Sequence, residues 1–297
     1  MKFSIVCHDA GGAEILSSFI LRQNIVCFFS LAGPAIRIFE RKLKNITNTS
    51  LTDAIDKGDV LLCGSSWQSD IEILAINYAK SRNRKTITFL DHWGNYFDRF
   101  VRNNIVSLPD EIWVGDCYAL DSARKIFPNS KIELVENPYF LDVKDFFKNR
   151  KMRSFSEINK SLKILFVSEP LRLHGSQSYN DEYHWGYTED EGIKFFFNNL
   201  CYLKLNISSI VIRPHPSENP SKYKWTQENK TYKVTISNHE KPLFDDIADS
   251  DIIFGFQSMA LVVAVLANKR VISSIPPGGK KSILPYPQIE NLNSLVS

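Results

Sequence analysis

The sequence predicts an α/β protein made of two similar halves, each a parallel β-sheet covered by helices. Short apolar runs alternate with helical patterns from residue 3 to about residue 135. The same alternation starts again at Leu162 and continues to Ile275. Between the two lies a basic stretch without a long apolar run. We therefore expect a first domain over 1–141, a basic linker over 142–161 and a second domain over 162–297.

The first half contains six apolar runs that are typical of strands. They cover residues 3–7, 25–31, 59–63, 86–90, 111–114 and 132–135. Helices are predicted over 13–22 and 36–43, after Asp70 as an N-cap, and up to Phe127. Asn137-Pro138 is interpreted as the stop signal of this half.

The second half repeats the pattern with five apolar runs. They cover residues 162–167, 209–212, 234–237, 251–254 and 270–275. A polar loop is predicted over 174–187, followed by a helix that begins at Thr188 with Glu191 placed for a capping box. Further helices are predicted from Pro242 and from Met259. Two such Rossmann-like halves are expected to face a central cleft, and clefts between domains are preferred ligand sites.

Composition and charge exclude several classes of protein. The net charge of +3 over 297 residues is small, which argues against a nucleic-acid partner. The 5 cysteines are widely spaced without a CxxC pair, which argues against disulfides and a zinc site and favours a reducing, cytoplasmic environment. The N-terminus lacks the pattern of a signal peptide, and no apolar run has the length of a membrane span.

A cluster of basic residues leaves peripheral membrane contact open. These residues are Arg37, Arg41, Lys42 and Lys44, in and directly after the helix predicted around 36–43, together with the basic linker. They could touch an anionic lipid surface at the inner face of a membrane, although such a run is more often a solvated face.

The most informative segment is Arg213-Pro214-His215-Pro216, at the end of a buried strand. Each proline fixes its own φ and biases the residue before it toward extended conformations. The His215 imidazole is therefore held at the carboxyl end of a strand, where open α/β sheets bind ligands. Arg213 and His215 together suit an anionic group, such as the phosphate of an activated sugar. The alternative is a proline-rich surface turn.

Two further segments of the second half are candidate binding elements. Gln257 and Ser258 lie between a strand and a helix start, where exposed amides attract anions. Ser168 and Glu169 follow the first strand of this half, and Glu169 could accept hydrogen bonds from a ribose or a base. A capped structural helix and a structural turn are the respective alternatives.

The first half contributes two loops with acidic residues. Asp91 and His92 follow a buried strand and could supply a general base, or form a turn with a satisfied polar pair. The loop after the first strand contains Asp9, Gly11 and Gly12, and paired glycines permit close backbone approach to a ligand. This loop is neither GxGxxG nor a Walker loop, so we expect it on the acceptor side of the cleft, or as a plain tight turn.

Together these segments resemble the GT-B glycosyltransferases, in particular bacterial sialyltransferases, polysialyltransferases and capsule transferases. Asp91-His92-Trp93-Gly94 resembles their acidic motif, His215-Pro216 their His-Pro motif, and Ser258 their phosphate-binding serine. The resemblance implies an inverting enzyme of surface polysaccharide synthesis, with a nucleotide-sugar donor (a CMP-sugar is favoured) and a glycan or glycolipid acceptor. It implies Asp91 as the base and His215 and Ser258 as donor-phosphate ligands. We expect no cofactor or metal, because no DxD pair follows a predicted strand and a basic phosphate site can neutralise a leaving nucleotide without one.

Two departures from the family pattern keep other functions open. Asp91 is followed by His-Trp rather than by an acid, so Asp91, His92 and Asp9 compete for the role of base. The chain also ends soon after its last predicted strand. A sugar-nucleotide 2-epimerase, a polyol-phosphate transferase and a non-catalytic nucleotide- or glycan-binding module therefore remain alternatives.

Overall fold

A computed structural model of the chain describes residues 1–66, 68–148, 150, 153 and 161–296. The chain divides into two compact units, the first comprising Met1–Asp142 and the second beginning at Val143. The predicted linker, 142–161, is described only in part. Its first residues belong to a helix that ends at Lys148, and most of its remainder lies outside the described residues.

The first unit contains a parallel sheet of six strands in the order β2-β1-β3-β4-β7-β8. Its strands are β1 Phe3–Cys7, β2 Cys27–Leu31, β3 Val60–Cys63, β4 Lys85–Leu90, β7 Glu111–Val114 and β8 Lys131–Leu134. A short antiparallel hairpin, β5 Val101–Arg102 and β6 Ile105–Val106, lies outside this sheet. The helices of this unit are α1 Ala10–Gln23, α2 Pro34–Leu43, α3 Leu51–Lys57, α4 Ile71–Ser81 and α5 Cys117–Ile126. A further helix, α6 Pro138–Lys148, begins in this unit and ends in the second.

The second unit contains another parallel sheet of six strands, in the order β11-β10-β9-β12-β13-β14. Its strands are β9 Leu162–Val167, β10 Ile207–Arg213, β11 Val234–Ile236, β12 Ile252–Gly255, β13 Arg270–Ser273 and β14 Ile289–Asn291. Its helices are α7 Leu171–Tyr179, α8 Glu189–Asn199, α9 Leu243–Asp249, α10 Met259–Leu266 and α11 Leu292–Val296. The prediction of two Rossmann-like α/β halves is confirmed.

The central strands explain why the sequence folds in this way. Every residue of β1, β3 and β12 is buried, because helices cover both faces of each sheet. A strand that is buried on both faces needs a continuous apolar run, and these runs are the segments that predicted the two sheets.

Three local predictions were wrong in detail. Asn137-Pro138 starts α6 rather than ending the half, because Asn137 Oδ1 accepts the amide of Tyr139 at 3.0 Å and proline suits a first helical position. Residues 171–179 form α7, where a loop was predicted from residue 174. Asp70 occupies the N-cap position of α4, but its carboxylate pairs with Arg102 and does not cap the helix.

The structure also describes the basic segment considered for membrane contact. Lys42 and Arg41 of α2 both pair with Glu14 of α1. Among the described helices none is long and apolar enough to cross a membrane. Peripheral membrane contact stays a prediction.

Candidate functional site

In the first unit, polar residues gather at the carboxyl edge of three neighbouring strands. His8 and Asp9 follow β1, Ser65 and Ser66 come shortly after β3, and Asp91 with His92 follows β4. These strands are adjacent and parallel in the sheet, so their carboxyl ends meet at one edge. We call this group the first-unit edge.

Asp91 is held by an ion pair with a buried arginine. Arg99 Nη1 donates to Asp91 Oδ1 at 2.7 Å, and the two side chains are only 8% and 12% exposed. Arg99 also donates to the carbonyl and hydroxyl oxygens of Ser65, and that hydroxyl lies 3.4 Å from Asp91 Oδ1. The Asp91 charge is therefore compensated and its orientation is fixed.

The two glycines of the first loop serve close packing inside the protein. A Cβ on Gly11 would lie 2.1 Å from Asp91 Oδ2, so the first turn of α1 approaches Asp91 only because residue 11 has no side chain. A Cβ on Gly12 would lie 3.2 Å from Cys7 Sγ. The glycine pair predicts close approach of a ligand to the backbone, but the groups that come close to these two glycines are Asp91 and Cys7 of β1.

Asp9 forms a second acidic centre at the first-unit edge. Its Oδ1 lies 2.7 Å from His8 Nδ1 and accepts a 2.8 Å hydrogen bond from the Ser66 hydroxyl. Glu72, near the start of α4, accepts the backbone N–H of His8 at 2.8 Å. Burial raises the pKa of Glu72 to about 7, so this carboxyl can hold or release a proton near neutral pH.

His92 and the aromatic residues after it differ in exposure. Burial lowers the pKa of His92, which favours the neutral imidazole. Trp93 Nε1 donates to Asp116, the N-cap of α5, at 3.0 Å. Tyr96 is buried in the core, so it packs rather than presenting a face for a sugar ring.

In the second unit, the predicted binding residues also lie at one carboxyl edge. Ser168 and Glu169 follow β9, His215 comes shortly after β10, and Gln257 and Ser258 come shortly after β12. Strands β10, β9 and β12 are neighbours in the sheet. We call this group the second-unit edge.

Glu169 occupies the amides at the start of α10. It accepts the backbone N–H of Gln257 at 2.7 Å, and the amides of Ser258 and Phe256 stabilise the same carboxylate. Burial nevertheless raises the pKa of Glu169 to about 7. Ser258 has the extended backbone of an N-cap, but its hydroxyl makes no capping bond and is buried without a hydrogen-bond partner among the described residues. Part of the anion-attracting helix start is thus filled by a carboxylate of the protein.

His215 is oriented by its neighbours. Its Nδ1 accepts the backbone N–H of Ser217 at 3.2 Å and lies 2.7 Å from the Ser217 hydroxyl; with both groups as donors to Nδ1, the neutral imidazole carries its proton on Nε2. Its own backbone N–H donates to Glu218 at 3.1 Å. The His174 ring lies 6.1 Å away, and burial lowers the pKa of both histidines. His215 therefore presents an N–H donor, which suits a phosphate oxygen.

Two other predicted binding residues have partners inside the protein. The Arg213 guanidinium forms an ion pair with Asp246, and it donates to the carbonyl oxygen of Lys241 at 3.0 Å. The Ser168 hydroxyl lies 2.8 Å from the hydroxyl of Tyr223, which donates to Glu218.

Several residues of both edges escaped the sequence reasoning. They are His8, Ser66, Glu72, Arg99 and Glu218. The Gly64-Ser65-Ser66 segment directly after a buried strand was the available signal for Ser66. Arg99 and Glu72 extend to the first-unit edge from separate segments of the chain, and no local sequence pattern indicates that these two side chains lie there. Within the described ranges, no group of three His, Cys, Asp or Glu residues is arranged to hold a metal ion.

Solved structures share the fold of the whole chain. UDP-GlcNAc 2-epimerase from Methanocaldococcus jannaschii matches 92% of this chain and 83% of its own, with a TM-score of 0.59 and 14% identity. UDP-GlcNAc 2-epimerase from Neisseria meningitidis bound to UDP-GlcNAc matches 94% and 84%, with a TM-score of 0.58 and 16% identity. An S. aureus MnaA-UDP co-structure matches 94% and 80%, with a TM-score of 0.59 and 12% identity.

These similarities confirm the predicted GT-B-like fold. At such low identity they establish the fold alone, and the resemblance to sialyltransferases and capsule transferases stays a prediction. No protein-family model matches the chain. A search of curated proteins also finds no match.

Proposed function

We propose that this chain is an enzyme that acts on a nucleotide-activated sugar, and that it inverts the configuration at C2 of that sugar. The observation that carries the proposal is the pair of edges. The first-unit edge holds acid–base groups, and the second-unit edge holds an oriented imidazole donor and a helix start at the same edge of one sheet. The match of nearly the whole chain to solved UDP-GlcNAc 2-epimerases supports this reaction over the transfer expected from the sequence.

Epimerisation at a carbon needs groups that exchange protons. The C–H bond must break on one face of the sugar and re-form on the other, which requires a base and an acid. Asp91, His92 and Asp9 are the proposed acid–base residues, with Glu72 beside them as a carboxyl that titrates near neutral pH. This chemistry requires no metal.

The proposed nucleotide contacts come from the second unit. His215 Nε2–H and the Ser258 hydroxyl are the phosphate donors, with Gln257 next to them. Glu169 holds the amides of this loop in place, and Asp246 and Tyr223 orient Arg213 and Ser168. Two of the similar structures hold UDP-GlcNAc and UDP, and both of these ligands are uridine nucleotides. We therefore propose a UDP-sugar rather than the CMP-sugar favoured by the sequence.

The test is incubation with UDP-GlcNAc in D₂O without any acceptor, followed by NMR. We expect the C2 epimer to form and deuterium to enter at C2. UDP should also raise the melting temperature, and His215→Asn should abolish that shift. His184→Asn is the matched control, because His184 stacks on Tyr179 at the surface of the same unit. Absence of a shift with any nucleotide at millimolar concentration would contradict the proposal.

An inverting glycosyltransferase is the second candidate, and one observation favours it. Asp91 Oδ1 is fixed by Arg99, whereas Oδ2 accepts no hydrogen bond from the described residues. A single oriented carboxylate oxygen suits the deprotonation of an acceptor hydroxyl. Release of UDP only after addition of a glycan or glycolipid acceptor, without deuterium at C2, would establish transfer. If Asp91→Asn still binds the nucleotide, and neither the variant nor the wild type shows turnover, the chain is a binding module.

A further inference from the structure

The hydroxyl of Ser66 has a defined direction. Its oxygen accepts the backbone N–H groups of Gln68 and Ser69, both at 3.1 Å. Because these two bonds occupy the lone pairs of the oxygen, the hydroxyl hydrogen is left to donate to Asp9 Oδ1, at 2.8 Å. Asp9 is thereby held as an acceptor.

This arrangement determines the tautomer of His8. An ionised carboxylate can only accept hydrogen bonds, so the 2.7 Å contact between Asp9 Oδ1 and His8 Nδ1 requires a proton on Nδ1. In the neutral imidazole the lone pair then lies on Nε2. Orientation of a histidine by a carboxylate on its other nitrogen is the arrangement that makes an imidazole an effective base.

The backbone around His8 fixes where the ring lies. Its N–H donates to Glu72 at 2.8 Å, and its carbonyl accepts the amide of Ala35 at 3.0 Å. The ring lies against Gly33, where a Cβ would come within 2.5 Å of Nε2. The His8 side chain is 21% exposed, and Nε2 has no hydrogen-bond partner among the described residues. The basic nitrogen is therefore positioned by Gly33 and has no hydrogen-bond partner among the described residues, on a side chain that is partly exposed.

Asp91 differs from His8 in its partners. One oxygen of its carboxylate is paired with the buried guanidinium of Arg99. Asp9 is in turn engaged by both Ser66 and His8. Among the groups described at the first-unit edge, His8 combines a ring nitrogen that has no hydrogen-bond partner with a carboxylate that orients the ring from its other nitrogen.

We propose that His8, oriented by Asp9, is the general base that removes the proton from C2 of the bound sugar. The inference rests on the proposed epimerase function. As the C2–H bond breaks and its proton moves to Nε2, its electron pair forms a C1–C2 double bond and the C1–O bond to the departing UDP breaks. The imidazolium that forms is stabilised by the Asp9 carboxylate. The reaction is completed when C2 is protonated on its opposite face and UDP adds back to C1.

The first test compares His8→Gln, Asp9→Asn and wild type in the D₂O exchange assay at C2. General acid–base catalysis contributes about 100- to 10,000-fold, so kcat should fall by that range in His8→Gln. Asp9→Asn should also lower kcat, because an amide can donate to Nδ1 and reverse the tautomer. The UDP-induced melting shift should persist in both variants, and His184→Gln should match wild type in both readouts.

The second test separates catalysis from structure. In His8→Ala, added imidazole should restore exchange in proportion to its concentration, which a purely structural role would not produce. The inference would be overturned if His8→Gln bound UDP and kept kcat within threefold of wild type. It would also be overturned if imidazole failed to restore exchange in His8→Ala. Either outcome would leave the proposed function intact. Absence of UDP binding in wild type would instead refute the proposed function.

Discussion

The carboxylate of Glu169 accepts a 2.7 Å hydrogen bond from the backbone N–H of Gln257, at the start of α10. Helix starts attract anions because their amides are unpaired and the helix dipole is positive there. In this protein the anion at the start of α10 is the side chain of Glu169, which follows the neighbouring strand β9. The loop after β12 is thereby held in one conformation before any ligand arrives.

The titration of Glu169 should be visible in the stability of the protein. Its pKa is raised from 4.5 to about 7 by burial, so between these values the folded state holds one more proton than the unfolded state. This contribution to stability is complete below about pH 4.5 and is lost as pH rises to about 7. At about 1.4 kcal/mol per pKa unit, it is on the order of 3 kcal/mol.

Glu169→Gln removes this titration and keeps an oxygen that can accept the amides. From about pH 5 to about pH 8, the free energy of unfolding of the variant should rise relative to wild type. Urea denaturation at several pH values measures the difference. Glu72 titrates in the same direction but is present in both proteins, so it cancels. A pH-independent difference would show that Glu169 does not titrate in this window.

Gly11→Ala should impair activity through Asp91. The added Cβ would lie 2.1 Å from Asp91 Oδ2, and the carboxylate cannot move away without weakening its contact with Arg99. We expect turnover to fall more than about tenfold, with a loss of stability of about 1–3 kcal/mol. Ala10→Ser, an exposed change in the same turn, is the control. Wild-type turnover in Gly11→Ala would mean that the position of Asp91 is unimportant.

Thr188→Ala should destabilise the second unit through the start of α8. Thr188 Oγ1 accepts the amide of Glu191 at 3.3 Å, and Glu191 Oε2 accepts the amide of Thr188 at 2.8 Å. Loss of such a cap costs about 1 kcal/mol. Thr231→Ala, at an exposed bend, should change the free energy of unfolding by less than about 0.5 kcal/mol. Chemical denaturation measures both, and equal effects would argue against the capping box.

Thiol reactivity should divide the five cysteines into two groups. Cys117 and Cys201 are exposed, whereas Cys7 and Cys63 are buried and their thiol pKa values are raised by burial. Burial also raises the pKa of Cys27 to about 12. Mass spectrometry after iodoacetamide treatment at neutral pH should find Cys117 and Cys201 modified first. All five should react in urea, and rapid labelling of Cys7 in the native protein would contradict the packing of β1.

Much of the fold could be predicted from the order of the residues. Strands that are buried on both faces are rich in apolar residues, so β1, β3 and β12 are recognisable as short runs between polar turns. The Thr188–Glu191 capping box was also predictable, because a cap depends on residues three positions apart. Elements with weak local signals could not be predicted from the sequence. Examples are α3, which has seven residues, and α7, which lies in a polar stretch.

The sequence by itself determined two α/β halves and the strand ends where Asp9, Asp91, His215 and Ser258 lie, because both follow from local patterns of hydrophobicity and turn residues. Only the tertiary structure decided which partner each of these groups has. Arg99 neutralises Asp91, Ser66 and Asp9 orient His8, and Glu169 fills the start of α10. These contacts join residues from separate strand ends and helices, and the pairing of distant segments in a sheet is a property of the folded chain that no local pattern encodes.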